Sequence, residues 1–277
     1  MKLMTYKFEN EEKIGVLKED KVFEIINYQS MNDVILGKES IIESENGIDL
    51  SKVKMLAPIP TPARNIFCLG RNYAAHVKEM GNRIANLSDM PSDPIYFAKI
   101  TNGIVGDKMD VESHFEISKS LDYEVELAVI IGKKGKNISK EEAKDYIFGY
   151  AVANDFSMRD LQKERFQWMK GKGLDTHMAL GPVILTVEEV AYPPALDMKL
   201  YVNDELRQSS NTDQLFFDID HIICDLSNGT TLFPGDIILT GTPGGVGMGF
   251  TPPIFLVAGD IVKCEIEQIG ELVNYIK

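Results

Sequence analysis

Residues 121–132 read Leu121-Asp-Tyr-Glu-Val-Glu-Leu-Ala-Val-Ile-Ile-Gly132. Leu127 to Ile131 is an unbroken apolar run, rich in β-branched residues and closed by a glycine. That pattern fits a strand buried on both faces. Working outward, short runs of the same kind recur at Asn65–Leu69, Ile95–Ala98, Phe148–Asn154, Val183–Thr186, Ile237–Thr240, Ile261–Glu267 and Leu272–Ile276. Lys199–Val202 and Glu205–Gln208 flank Asn203-Asp204, the signature of a hairpin with a two-residue turn. Helical patterns are fewer: Met31–Leu36, Asn72–Met80 ending at Gly81, a segment opened by Ser139-Lys-Glu-Glu, Ser157–Met169, and Asp218–Ser227. Strands and helices do not alternate regularly, so the sequence predicts a β-dominated α+β fold rather than a doubly wound sheet. Before it, Met4–Phe8, Lys13–Leu17 and Val22–Ile26 read as brief strands of a small α/β module. The proline-rich Leu56–Ala63 suits a connector, and a boundary is placed there: residues 1–57 as a small N-terminal domain, 58–277 as the main one.

The chain has 277 residues, enough to bury a core without disulfides or a structural metal. Lys+Arg is 29 against Asp+Glu 42, a net charge of −13. Such a surface opposes non-specific contact with nucleic acid or anionic membranes. Cys68, Cys224 and Cys264 show no metal or disulfide spacing and read as buried thiols. No apolar run approaches transmembrane length and no signal peptide is visible at the N-terminus, so a cytoplasmic protein is expected.

Five features carry chemistry. Glu124 and Glu126 are two apart in a strand and leave the same face. Side by side they repel unless a cation or proton lies between them, which points to a divalent metal over a solvated strand edge. Asp155 ends the strand 148–154. It fits either a helix-capping role or a third carboxylate, the latter if its strand lies beside Glu124 and Glu126. Three carboxylates would suit Mg²⁺ or Mn²⁺ rather than zinc. His76 and Glu79 are three apart on a helix, as a surface pair or as a His–carboxylate base. Residues 71–91 mix glycine, asparagine and serine around that pair, which suits a lid that orders on ligand binding. Lys170 and Lys172 sit among glycines, either in a solvated turn or beside an anionic substrate. Thr240–Gly249 is a glycine-rich loop after a strand. It lacks both the Walker and the dinucleotide pattern. Its amides and the Thr242 hydroxyl remain as donors for a carboxylate.

The segments GRNYAAHVKEM (70–80), LDYEVELAVIIGK (121–133), GYAVANDFSMRDLQ (149–162), GKGLDT (171–176), ALGP (179–182), LSNGTTLFPGDIILTGTPGGVG (226–247) and AGDIVKCEIEQIGEL (258–272) together resemble the fumarylacetoacetate hydrolase family. The resemblance implies a mixed β-roll fold, a homodimer and an active-site Mg²⁺ or Mn²⁺. It implies metal carboxylates at Glu124, Glu126 and Asp155, a water-activating pair at His76 and Glu79, and a substrate-stabilising Lys172. Arg71, Tyr73, Arg159, Gln162 and Thr242 match further site positions, and Lys99 is kept in Phe97-Ala-Lys99-Ile100 without the family's following proline. After Asp175-Thr176 the family often has an aromatic and a proline where this chain has His177-Met178. The implied chemistry is an enolate of a small anionic 2-oxo acid stabilised by the metal. The dyad directs the expectation to hydrolysis of a C–C bond in an acylpyruvate. Oxaloacetate-type decarboxylation, or isomerisation or tautomerisation of a 2-hydroxydienedioate, is the alternative.

Overall fold

The structure, a computed structural model, describes residues 1–81, 90–101, 103–164 and 167–277. Residues 82–89 of the expected lid and 165–166 of the expected helix 157–169 lie outside the described residues.

The buried strand opening the sequence reading is Val125–Ile131, and every residue of it is buried. It pairs antiparallel with Ile147–Asp155, which pairs antiparallel with Met178–Thr186. On its other edge lies Ile237–Leu239, followed in parallel by Ile66–Gly70 and then Ile95–Lys99. Met178–Thr186 also receives Lys2–Phe8, so the N-terminal strands Glu11–Lys18, Lys21–Glu24 and Ile48–Asp49 continue the same sheet. A second sheet orders Glu205–Asn211, Asp197–Val202, Ile261–Ile266, Gly270–Ile276 and Met109–Val111. Its strands Asp197–Val202 and Ile261–Ile266 alternate buried and solvent-facing residues, as a sheet with one wet face requires. Asn203 and Asp204 both take positive φ, 49° and 65°, which makes the hairpin turn between the first two strands type I′.

Alternation along the central strands separates two cores. Val125, Leu127 and Val129 pack with Tyr150 and Val152 against Met198, Leu200 and Val262 of the second sheet. Ala128, Ile130, Ala151 and Ala153 face the other way, toward a core closed by Met31, Val34 and Ile35 of the helix Met31–Leu36. Side chains on one face recur every two residues, so Glu124 and Glu126 continue the face of Ala128, and Asp155 continues that of Ala151 and Ala153. Three carboxylates therefore emerge on one face, at the end of the strands away from that helix.

One expected helix and one expected burial differ. Residues 157–169 do not form one helix: Ser157–Met158 pairs as a short strand with Leu121–Asp122, and the helices are Arg159–Glu164 and Met169–Lys172. The extended start is held by its partner strand, and the second helix is a single turn in which the Gly171 and Lys172 amides donate to the Trp168 carbonyl. Cys68 and Cys264 are buried, whereas Cys224 is partly exposed. No described helix is long and apolar enough to cross a membrane.

Candidate active site

Glu124, Glu126 and Asp155 each offer a carboxylate oxygen, and these atoms lie within 4.8 Å of one another. The register that does this pairs Val125 with Asn154 and Glu126 with Ala153. Asn154 fixes the crossing further, its Oδ1 accepting the Glu124 amide at 2.9 Å. All three carboxylates are buried.

Cations answer part of this charge. Lys172 Nζ lies 2.6 Å from Glu124 and 2.9 Å from Asp155. Lys99 Nζ donates to Asp155 Oδ1 at 2.5 Å and to the Phe156 carbonyl at 3.1 Å. Arg159 reaches Glu124 at 2.7 Å through Nη1 and Asp122 at 2.7 Å through Nε. Burial alone would raise the Glu124 carboxyl, but Lys172 and Arg159 outweigh it and hold the group at about 2. Burial likewise works against the Lys172 ammonium, and Asp155 and Glu124 overcome it and raise its pKa. Glu126 has no such partner among the described residues. It accepts only the Gly241 amide at 2.7 Å. Burial, then the neighbouring Asp155 and Glu124, push its carboxyl well above the usual range.

The site thus holds four buried carboxyl groups, Asp122 included, against the three cations Lys99, Lys172 and Arg159, and Glu126 is the one with no ion pair among the described residues. Three hard oxygen donors this close, one of them without a cation of the chain beside it, fit a divalent cation of the Mg²⁺ or Mn²⁺ kind.

Glu124 and Glu126 open into a cavity of about 90 Å³. Its described lining includes Arg71, His76, Arg159, Gln162, Lys172 and Thr242 from the sequence reading. Two of these carry buried polar atoms with no hydrogen-bond partner among the described residues: His76 Nδ1 and Arg159 Nη2. Gln162 steadies the guanidinium by accepting from Arg159 Nη1 at 3.1 Å.

Other expected site residues take different places. Tyr73 does not line the cavity. It is buried, and its hydroxyl donates to Met198 Sδ at 3.2 Å, because the residue packs toward the second sheet. Lys99 does not line it either; its ammonium is consumed by Asp155 and by the Phe156 and Lys172 carbonyls. Lys170 is exposed. Glu79 stands 3.7 Å from His76 Nδ1, beyond hydrogen-bond reach. Both its oxygens instead accept the Gly245 amide at 3.1 Å, docking the helix Ala74–Gly81 on the glycine-rich loop. Gly245 has φ 103°, and a Cβ there would lie 2.0 Å from the Arg207 carbonyl oxygen, so glycine alone presents that amide.

The glycine-rich loop is not a free cradle for a substrate carboxylate. Its Gly241, Gly245, Gly247 and Met248 amides serve the chain's own Glu126, Glu79 and Asp122. The Thr242 hydroxyl donates to the Val125 carbonyl at 3.0 Å and accepts from Gln208 Nε2 at 2.8 Å. Asp122 and Gln208 escaped the sequence reading. Asp122 was signalled there, since 122, 124 and 126 share one strand period. Gln208, which also accepts the Val125 amide at 3.0 Å, lies on the distant hairpin and had no local signal.

The chain is similar to known proteins over most of its length. The sequence pattern of the fumarylacetoacetate (FAA) hydrolase C-terminal family matches residues 65–277. The oxaloacetate tautomerase YisK of Bacillus subtilis (strain 168) is 48% identical over 227 residues, 82% of this chain and 74% of that protein. The solved fumarylacetoacetate hydrolase from psychrophilic Exiguobacterium antarcticum superposes with a TM-score of 0.89 at 37% identity, covering 100% of this chain and 99% of that one. A 5-carboxymethyl-2-hydroxymuconate delta-isomerase from Mycobacterium smegmatis does so at 0.81 and 32%, again over 100% and 99%. With the match spanning the carboxylate strands, the lysine turn and the glycine-rich loop alike, the chain belongs to the fumarylacetoacetate hydrolase family.

Proposed function

We propose that this protein is a keto–enol tautomerase of small 2-oxo acids of the oxaloacetate type, rather than the C–C hydrolase its sequence first led us to expect. The observation that carries the reading is the pair of buried atoms with no hydrogen-bond partner among the described residues, His76 Nδ1 and Arg159 Nη2, in one small cavity with Glu124 and Glu126. One is a site for a proton and the other a fixed donor for a carboxylate. The similarity to an enzyme named as an oxaloacetate tautomerase and to a muconate isomerase supports it.

Glu124, Glu126 and Asp155 would hold Mg²⁺ or Mn²⁺, which when bound supplies Lewis acidity toward the carboxylate and keto oxygens of a 2-oxo acid. Arg159 receives the substrate carboxylate through Nη2, its orientation fixed from behind by Asp122 and Gln162. His76 takes the proton from the carbon next to the keto group and returns it to oxygen, so that keto and enol interconvert with no bond to a leaving group broken. Lys172 keeps a positive charge where negative charge develops on the enol oxygen. The burial of these groups excludes water, which strengthens each interaction. Hydrolysis would further require an activated water, and Glu79, the partner expected to orient His76 for that task, is engaged with Gly245.

The test follows oxaloacetate enol by its ultraviolet absorbance in the presence of Mg²⁺, beside acylpyruvate cleavage under the same conditions. Catalysed interconversion, abolished by EDTA, is expected. Acylpyruvate hydrolysis at a higher kcat/KM than oxaloacetate tautomerisation would overturn the proposal.

A further inference from the structure

Proton transfer and carboxylate binding leave one wall of the cavity without a task. That wall is apolar and includes Leu69, Met80, Phe97, Trp168 and Met248. Within it one line of contacts runs outward from the catalytic groups. Lys172 Nζ lies 5.1 Å from the Phe97 ring centroid. Phe97 meets Trp168 edge to face, with centroids 5.4 Å apart and planes at 63°. Trp168 in turn rests on the main chain of Gly70, where an added Cβ would fall 2.3 Å from its Cζ3. Gly70 is needed here for the close approach, not for an unusual φ. Backed by Phe97 on one side and by bare backbone on the other, the indole cannot retreat from a bulky ligand. Met80 and Met248 can, because an unbranched thioether readjusts through three rotatable bonds.

The cavity is small, about 90 Å³, so a wall that cannot yield restricts a longer ligand more than the two methionines do.

We infer that Trp168, seated on Gly70 and braced by Phe97, sets the length of carbon skeleton this site accepts, favouring 2-oxo acids of four or five carbons over longer ones. The inference rests on the 2-oxo acid reading above and adds its specificity determinant.

The experiment measures enolisation directly, as loss of the C3 proton signal in deuterium oxide with Mg²⁺. Base removes the C3 proton, its electron pair enters the C2–oxygen system, and a deuteron returns to carbon. The probes are 2-oxobutyrate, 2-oxoglutarate and 2-oxoadipate, and calorimetric binding of the same acids gives a readout independent of turnover. Native protein is expected to favour the two shorter acids over 2-oxoadipate by about tenfold or more, the selectivity that one methylene carries in an apolar pocket. Trp168→Ala should raise the ratio of 2-oxoadipate to 2-oxobutyrate exchange by a similar factor, and the ratio of their affinities with it. Trp168→Leu, a milder truncation, should shift both ratios in the same direction if the alanine variant does not fold. A native protein indifferent to chain length, or a Trp168 variant that lowers every acid equally, overturns the inference. No exchange with any acid, while the binding step between five and six carbons persists and vanishes in Trp168→Ala, sinks the tautomerase reading and leaves the length determinant standing.

Discussion

Arg159 Nε donates to Asp122 Oδ2 at 2.7 Å, and the same carboxylate accepts the amides of Gly247 at 2.7 Å and Met248 at 3.0 Å. One fully buried aspartate therefore fixes both the substrate-facing guanidinium and the glycine-rich loop. Asp122→Asn keeps the shape and one amide acceptor but removes the charge facing Arg159. Arg159 keeps its pair with Glu124, so the loss should be smaller than the about 3–5 kcal/mol of a buried charge left with no partner, and a fall in Tm is expected. KM for oxaloacetate should rise more than kcat falls, since Arg159 acts on binding. Steady-state kinetics and thermal melts would refute this if Tm and KM both stay at the native value.

His76→Ala should separate proton transfer from binding. Enolisation is expected to drop by about 10²–10⁴-fold, the span of a general base. Binding of oxalate, which offers two carboxylates and no proton to move, should remain within a few-fold by calorimetry. Loss of oxalate binding together with turnover would mean that His76 shapes the site instead of moving the proton.

Glu79 gives the opposite pattern. A glutamine carbonyl can still accept the Gly245 amide, so Glu79→Gln should keep tautomerisation within about fivefold, the ~1 kcal/mol expected when a charged acceptor becomes neutral. Glu79→Ala undocks the helix carrying His76 and should lose considerably more. If the glutamine variant is as inactive as the alanine one, the carboxylate charge itself takes part in the chemistry.

His177 predicts an acid limb of stability. Its imidazole is buried against Phe156 and His114, with Nε2 2.9 Å from the Glu112 carbonyl. Burial, reinforced by the nearby Lys99 charge, lowers its pKa from 6.5 to about 3. The unfolded chain therefore binds a proton between these values that the folded chain does not. Its contribution is intact above pH 6.5 and is lost as pH falls toward 3, at up to about 1.4 kcal/mol per pH unit. His177→Phe removes that proton and should flatten the acid limb, at a cost of ~1 kcal/mol near neutrality for the lost hydrogen bond. Urea unfolding at several pH values decides the point; an unaltered slope would locate the acid sensitivity elsewhere.

The sequence by itself determined most of the elements and part of the site. The apolar run 127–131 became the fully buried strand, Asn203-Asp204 became the hairpin turn, and the two-residue period put Glu124 and Glu126 on one face. These are local matters, set by side-chain alternation and backbone preference within a few residues. Whether Asp155 joined them depended on the strand register, which places Asn154 opposite Val125. The glycine-rich loop read as a cradle for a ligand, yet its amides turned out to hold Glu79, Asp122 and Glu126, at separations of 166, 125 and 115 residues. The seat of Trp168 on Gly70 is equally remote in sequence. Such partnerships follow from how two sheets and their loops pack together. Only the tertiary structure decided them, because a buried donor or acceptor takes whatever partner the packed fold brings within reach.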